Sequence, residues 1–259
     1  MSTPSAYDVT VIVPAYNEAQ RITPTLNAVL AYLQRQPYRW ELLVVDDGSR
    51  DQTAAIVTQR LAEHHPHARL ISYQPNQGKG YAVRTGVLTA SGQYIVFLDA
   101  DLSTPIEEME PALAYLQQGY DMVVGSRRHP QSQIERQPPL FRRFATFVFD
   151  VIKHLIVGLW QYSDTQCGFK AYRRQTVTPL YQRSVVNRFM FDVELLFLAE
   201  RSGLRTIEMP VRWADAAGSK VRFFEGVYNM VRDLIRIRRV HRGFRGPLPP
   251  TAETTPDSQ

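Results

Sequence analysis

Asp99 and Asp101, one residue apart in Asp99-Ala100-Asp101, follow the apolar run Tyr94 to Leu98. Acid oxygens so arranged suit a hard divalent cation, Mg2+ or Mn2+, shared with the phosphate oxygens of a substrate. Such an ion stabilises the negative charge that collects on a diphosphate as its bond to carbon breaks. Turn chemistry is the competing role, since aspartate is common where strands end. The apolar strand ahead of the pair favours the metal. A second acidic pair opens Asp46-Asp47-Gly48-Ser49, behind the apolar run Leu42 to Val45. Carboxylates there can accept hydrogen bonds from a ribose or a base N–H. At least one of them is expected to face a ligand, with Asp51 capping the next helix. Gln77-Gly78-Lys79-Gly80 opens a further helix, where backbone N–H groups favour an anion.

Other reactive residue types carry less. The segment around Lys79 lacks the leading glycine and the Ser/Thr of a P-loop, and no G-x-G-x-x-G follows the first strand. Nucleotide hydrolysis on a P-loop and dinucleotide redox chemistry both lose their motif. Cys167, in Asp164-Thr165-Gln166-Cys167-Gly168-Phe169-Lys170, has no histidine at a recognisable spacing and reads as a packed side chain. His64, His65 and His67 surround Pro66 at a helix end and read as solvated. Asp192 and Glu194 stand two apart on a helix and so on different faces; at most one is expected at a site. Asp192 is the candidate base should the acceptor be a hydroxyl.

These residues fall at the ends of regularly alternating elements. Strand patterns cover Val9–Pro14, Leu42–Val45, Leu70–Tyr73, Tyr94–Leu98 and Met122–Val124. Helical patterns cover Ile22–Leu33, Ala54–Leu61, Lys79–Ala90 and Ile106–Leu116. The alternation implies an α/β fold: a Rossmann-like, mostly parallel sheet with helices on both faces and ligands at the carboxyl ends of its strands. Beyond Ser126 a polar loop, 127–139, leads to an amphipathic helix over Leu140–Trp160 and a compact segment, Asp164–Ala171. A helix over Phe191–Ala199, a strand within Arg205–Trp213 and a basic helix over Phe223–Arg239 follow. The expected organisation is one catalytic domain, 1–243, with a nucleotide part over 8–126, an acceptor- and membrane-facing part over 127–243 and a disordered tail over 244–259.

Composition agrees with a single large globular domain. Of 259 residues, 44% are hydrophobic and 21% charged, which excludes wholesale disorder. One cysteine excludes an intrachain disulfide framework and an iron–sulfur cluster. Met1 to Asp8 carries no secretory pattern. Phe144 to Leu159 is broken by Asp150, Lys153 and His154, so no bilayer-spanning helix is expected. The net charge of +5 points to an anionic partner. Basic residues gather at Arg127, Arg128, Arg136, Arg142 and Arg143, and again from Lys220 to Arg245, interleaved with aromatic and aliphatic side chains. That pattern fits helices lying on an anionic membrane surface. No nucleic-acid reader motif is present, and none is expected as a partner.

Val13-Pro14-Ala15-Tyr16-Asn17-Glu18, Val44 to Ser49, Asn76 to Gly80 and Asp99-Ala100-Asp101 together resemble the inverting GT-A glycosyltransferases of family 2. Gly125-Ser126-Arg127 and the basic stretch after it resemble the branch that glycosylates polyprenyl phosphates. Asp164 to Lys170, Phe191 to Leu196 and Gly218-Ser219-Lys220 are most similar to its dolichyl-phosphate β-glucosyltransferase members. The resemblance implies that Pro14, Tyr16, Glu18, Val45 and Asp47 hold the nucleoside; Lys79, at its anion-favouring helix start, is expected on the donor. It implies Asp99, Ala100 and Asp101 for the diphosphate and metal. Arg127, Arg142 and Thr146 would face the acceptor phosphate and Lys220 the phosphate region; Asp192, as the candidate base, is expected on the acceptor side independently of the resemblance. Mannose synthases often carry Gln where Ser103 stands, which argues against a mannose donor. The implied reaction moves glucose to a polyprenyl phosphate at the cytoplasmic face of a membrane, bound peripherally, without the N-terminal anchor common in eukaryotic members. The alternatives are GDP-mannose as donor, a sugar hydroxyl as acceptor, or a nucleotide-sugar or membrane-binding protein without activity. A phosphate monoester has its second pKa near about 6, so it needs no base to attack.

Overall fold

The computed structural model describes residues 5–135, 140–214 and 223–246, without the side chains of 140–148 and 223–227. The strands are β1 (Tyr7–Ala15), β2 (Trp40–Asp46), β3 (Ala68–Ser72), β4 (Gly92–Leu98), β5 (Met122–Ser126), β6 (Gln133–Ile134), β7 (Phe169–Arg173), β8 (Thr206–Pro210) and β9 (Arg212–Trp213). The helices are α1 (Ile22–Leu33), α2 (Thr53–Leu61), α3 (Lys79–Thr89), α4 (Met109–Gln117), α5 (Leu140–Val157), α6 (Arg174–Arg183), α7 (Phe191–Arg201) and α8 (Phe223–Val240).

Seven strands form one sheet in the order β3-β2-β1-β4-β7-β5-β8; β6 and β9 pair separately. Only β7 runs antiparallel to its neighbours, β4 and β5. The strand pleat sends alternate side chains to opposite faces. In β1, Val9, Val11 and Val13 join a core with Leu26, Val29 and Leu33 of α1, whose spacing makes one apolar stripe. Ile12 points the other way, into a core with Val83 and Val87 of α3, Leu195 of α7 and Leu234 and Ile237 of α8. Helices α1, α2 and α4 therefore cover one face, and α3, α6, α7 and α8 the other. Strand order reverses between β1 and β4, and that switch point opens a crevice at their carboxyl ends.

The segment expected only to be compact, Asp164–Ala171, runs into β7, which is inserted between strands far from it in the chain. Lys170 stands in this strand with no solvent exposure. Its ammonium donates to the Cys167 carbonyl at 2.7 Å and pairs with Asp192 at 2.6 Å. Among the described residues no helix is long and apolar enough to cross a membrane. Residues 247–259 of the expected tail lie outside the described residues.

Candidate active site

The crevice is a cleft of about 700 Å3. Pro14, Tyr16, Glu18, Asp47, Lys79, Asp99, Ala100 and Asp101 all line it. The strand ends deliver them, and the loops behind are tied to one another. Asn17, at a left-handed φ of 54°, donates its N–H to Ser49 Oγ at 2.9 Å and accepts from the Arg50 N–H at 2.8 Å. Asp51 accepts from the Thr53 and Ala19 N–H groups, the structural role its spacing indicates. Glu18 holds Arg21 with two hydrogen bonds, at 2.7 and 2.8 Å.

Asp47 and Asp46 do different work. Asp46 is buried, accepting from Ser49 N–H and Ser72 Oγ. Asp47 takes four donors: Tyr73 OH at 2.9 Å, the Gln77 N–H at 2.8 Å, the Gly78 N–H at 2.8 Å and Asn76 Nδ2 at 2.7 Å. Its carboxylate therefore fixes the loop that leads into α3. Asp47→Asn turns an NH2 towards donors and is expected to cost about 1–3 kcal/mol of stability. Nucleotide affinity should fall with it. Urea unfolding and UDP calorimetry on the variant check this; a change in neither would show that the loop does not depend on the carboxylate.

Asp99 pairs with Lys79 at 2.6 Å, and its N–H donates to the Gly168 carbonyl at 3.0 Å. Gly168 packs so closely on the Asp99 carboxylate that a Cβ there would collide with it. Asp101 accepts from the Ser103 N–H at 3.0 Å, and Leu102 between them takes a left-handed φ of 49°. Burial opposes the charge on Lys79, but Asp99, Asp192 and Asp101 hold its ammonium above its ordinary value. Among the described residues no group of three or more metal-ligating side chains forms. Two aspartates and the open side of the cleft fit an ion that completes its shell with diphosphate oxygens and water.

Several residues fall elsewhere than expected. Val45 is a core residue with no exposure and does not line the cleft, because the pleat turns it towards α3. Asp192, only 3% exposed, lies behind the cleft against Lys170 rather than on the acceptor side. Burial pushes its carboxyl up while Lys170 and Lys79 pull it down. A group so enclosed has no path to an acceptor hydroxyl, which removes the base from that alternative. Glu194 is fully buried, accepting from the Val185 and Val186 N–H groups and pairing with His241 at 2.7 Å.

Arg127 is gripped by Asp164, through Nε at 2.6 Å, Nη2 at 2.9 Å and the backbone N–H at 3.0 Å, and lies over the Trp213 ring. Burial works against both charges, but each partner wins: the Arg127 guanidinium holds the Asp164 carboxyl well below the usual carboxylate range. Burial likewise pushes the Cys167 thiol up to about 11, as suits a packed side chain. Beside this pair, Arg128 meets Asp150 at 2.5 Å, and Lys153 bonds Asp150 and Thr165. The side chains of Arg142 and Thr146, and all of Lys220, lie outside the described residues.

The sequence reading missed the far wall. Arg188 and Phe189, before α7, and Asn229, Met230 and Asp233 of α8 also line the cleft. Asn229 and Asp233 are four apart, so they share a face of a helix that from Met230 to its end is otherwise basic and apolar. That break in pattern is the signal that could have found them.

Residues 10–178 match glycosyl transferase family 2. A dolichyl-phosphate beta-glucosyltransferase of Trichomonas vaginalis is 38% identical over 244 residues, covering 90% of this chain and 72% of the relative. One from Drosophila melanogaster is 36% identical over 245 residues, covering 89% and 74%. In structure the chain resembles the glucosyl-3-phosphoglycerate synthase of Mycobacterium tuberculosis solved with Mn2+ and UDP-glucose. The TM-score is 0.64 over 90% of this chain and 78% of that one, at 19% identity, so the likeness is one of fold. The chain is a glycosyltransferase belonging to family 2, built on the GT-A fold.

Proposed function

We propose that the protein transfers glucose from UDP-glucose to a polyprenyl phosphate, with inversion, at an anionic membrane surface. The observation that carries this reading is the convergence of Pro14, Tyr16, Asp47, Lys79, Asp99 and Asp101 on one cleft, in a chain whose relatives are named dolichyl-phosphate beta-glucosyltransferases. Tyr16, 40% exposed at the cleft wall, offers a ring to the base. Asp99 and Asp101 would hold Mg2+ or Mn2+, as Mn2+ accompanies UDP-glucose in the fold neighbour. When bound, such an ion neutralises charge on the departing diphosphate. Lys79, the first residue of α3, adds a fixed cation to the same region. Arg127, held flat by Asp164, presents a guanidinium for bidentate contact with the acceptor phosphate, which attacks C1 without a base. Attack from the side opposite the diphosphate turns an α-linked donor into a β-linked product. Most of the nucleotide part falls within 8–126, with Arg188 and α8 closing the cleft, and the acceptor and membrane part within 127–243.

Helices α5 and α8 pack together and supply the membrane face. Val151 and Leu155 of α5 and Tyr228, Ile235 and Val240 of α8 are exposed, with Trp160 just beyond α5. Arg232, Arg236 and Arg239 are exposed on α8 among them. Each basic residue near an anionic surface contributes about 1 kcal/mol, less in salt. Attachment is thus peripheral, on the cytoplasmic leaflet. The protein is expected to float with anionic liposomes at low salt and to release at high salt. Sedimentation without lipid under every condition would remove the membrane from the account. For the donor, a screen with a short-chain polyprenyl phosphate should consume UDP-glucose and leave GDP-mannose intact; the reverse would identify a mannosyltransferase.

A further inference from the structure

We propose that Arg188 is a second cation on the donor diphosphate, working with Lys79 at the N-terminus of α3. This rests on the nucleotide-sugar reading above and assigns a residue to it. Among the described residues three cations line the cleft: Arg21, Lys79 and Arg188. Two are already committed, Arg21 to Glu18 and Lys79 to Asp99. Arg188 makes no side-chain hydrogen bond or ion pair within 4 Å to any described residue, and it is exposed. Asp233, on the α8 wall, is the carboxylate that feels it through space.

An exposed arginine is ordinarily a solvated surface residue. The loop that carries Arg188 is built otherwise. At its start the buried Glu194 accepts from the Val185 and Val186 N–H groups. Arg84 donates to the Ser184 carbonyl and to Asn187 Oδ1, both at 2.9 Å. The Asn187 carbonyl accepts from the Tyr81 N–H, in the first turn of α3, at 3.1 Å. At its end Met190 and Phe191 are buried. Gly78, at φ 107°, has no room for a side chain, since a Cβ would sit 2.5 Å from the Asn187 carbonyl and 3.2 Å from Arg188 Cγ. The stem of Arg188 is thus laid against the residue that opens α3, where free backbone N–H groups already favour an anion. A loop fixed at both ends that delivers an uncommitted guanidinium into a cleft is a preorganised site.

The chemistry calls for such a charge. As the bond between C1 and the diphosphate oxygen breaks, its electron pair moves onto the β-phosphate. An acceptor phosphate oxygen forms the new bond to C1. The leaving UDP carries one more negative charge than the diphosphate of UDP-glucose. A guanidinium hydrogen-bonded to it is therefore worth more in the transition state than in the ground state.

The test compares wild type, Arg188→Ala and Arg188→Lys, each with Mg2+, for binding of UDP and of uridine by calorimetry and for turnover. Arg188→Ala should weaken UDP by roughly tenfold to a hundredfold and leave uridine and the thermal midpoint unchanged. Its kcat should also fall, and Arg188→Lys should recover part of both losses. Unchanged UDP binding would overturn the assignment. So would equal losses of UDP and uridine, or a rise only in the KM for the acceptor. Wild-type protein that binds no UDP would instead overturn the nucleotide-sugar reading itself.

Discussion

Asp101→Ala is expected to lower turnover by about a thousandfold or more, roughly 4 kcal/mol in the transition state, with the fold retained. Its carboxylate accepts one hydrogen bond from the protein, the Ser103 N–H, and is partly exposed. Its structural share is therefore about 1 kcal/mol, a shift of a few degrees in a domain of this size. The catalytic share is larger because removing one of two protein ligands leaves the ion weakly held just as the diphosphate gains charge. Turnover with and without chelator, alongside thermal unfolding, separates the two. Undiminished turnover of the variant in chelator would end the metal role of the pair.

The second large effect is structural. Arg127→Ala should cost about 2 kcal/mol of stability, because it leaves the buried Asp164 carboxylate with its cation gone. The figure sits below that for a fully buried pair because 35% of the Arg127 side chain is exposed and water screens it. Activity on the lipid acceptor should fall further than the lost stability explains, while UDP binding stays near wild type. The pair also fixes a pH dependence. Asp164 has its carboxyl held below the usual range, so its contribution is fully present above the unfolded value of about 3.9 and is lost as pH falls through the folded value. The stability gap between wild type and Asp164→Asn, read from urea unfolding, should therefore be constant from pH 8 to 5 and narrow below about pH 4. A gap that instead opened on acidification would contradict the assigned ion pair.

The nucleotide half was legible because its signals are local. The stripe Ile22, Leu26, Val29 and Leu33 determines α1 from within twelve residues, and α1 spans the residues its period indicates. Acidic and glycine-bearing breaks mark the carboxyl ends of β2 and β4, so the residues that line the cleft stand out beside apolar runs. The other half depends on contacts between distant segments. Strand β7 contains a lysine that looks wrong for a central strand until Asp192 is brought against it from α7. Asp192 looked available because a helical period gives a face but not the layer behind it. The family resemblance alone puts Val45 at the nucleoside, and in this chain its side chain packs in the core, since one step along a strand reverses the side chain. Asn229 and Asp233 on the wall of the cleft follow from α8 folding back over α7, which composition cannot convey.

One reaction tests the central claim most directly. Purified protein, Mg2+, UDP-glucose and a short-chain polyprenyl phosphate are incubated with a soluble sugar and the corresponding polyprenol present as competing acceptors. The product is then characterised by mass and by the proton coupling at its anomeric carbon. The account predicts a β-linked glucosyl phosphate on the lipid, one UDP released for each, with polyprenol and soluble sugar untouched. An α-linked product, or glucose appearing on the soluble sugar or in water while the lipid phosphate is unchanged, would contradict it.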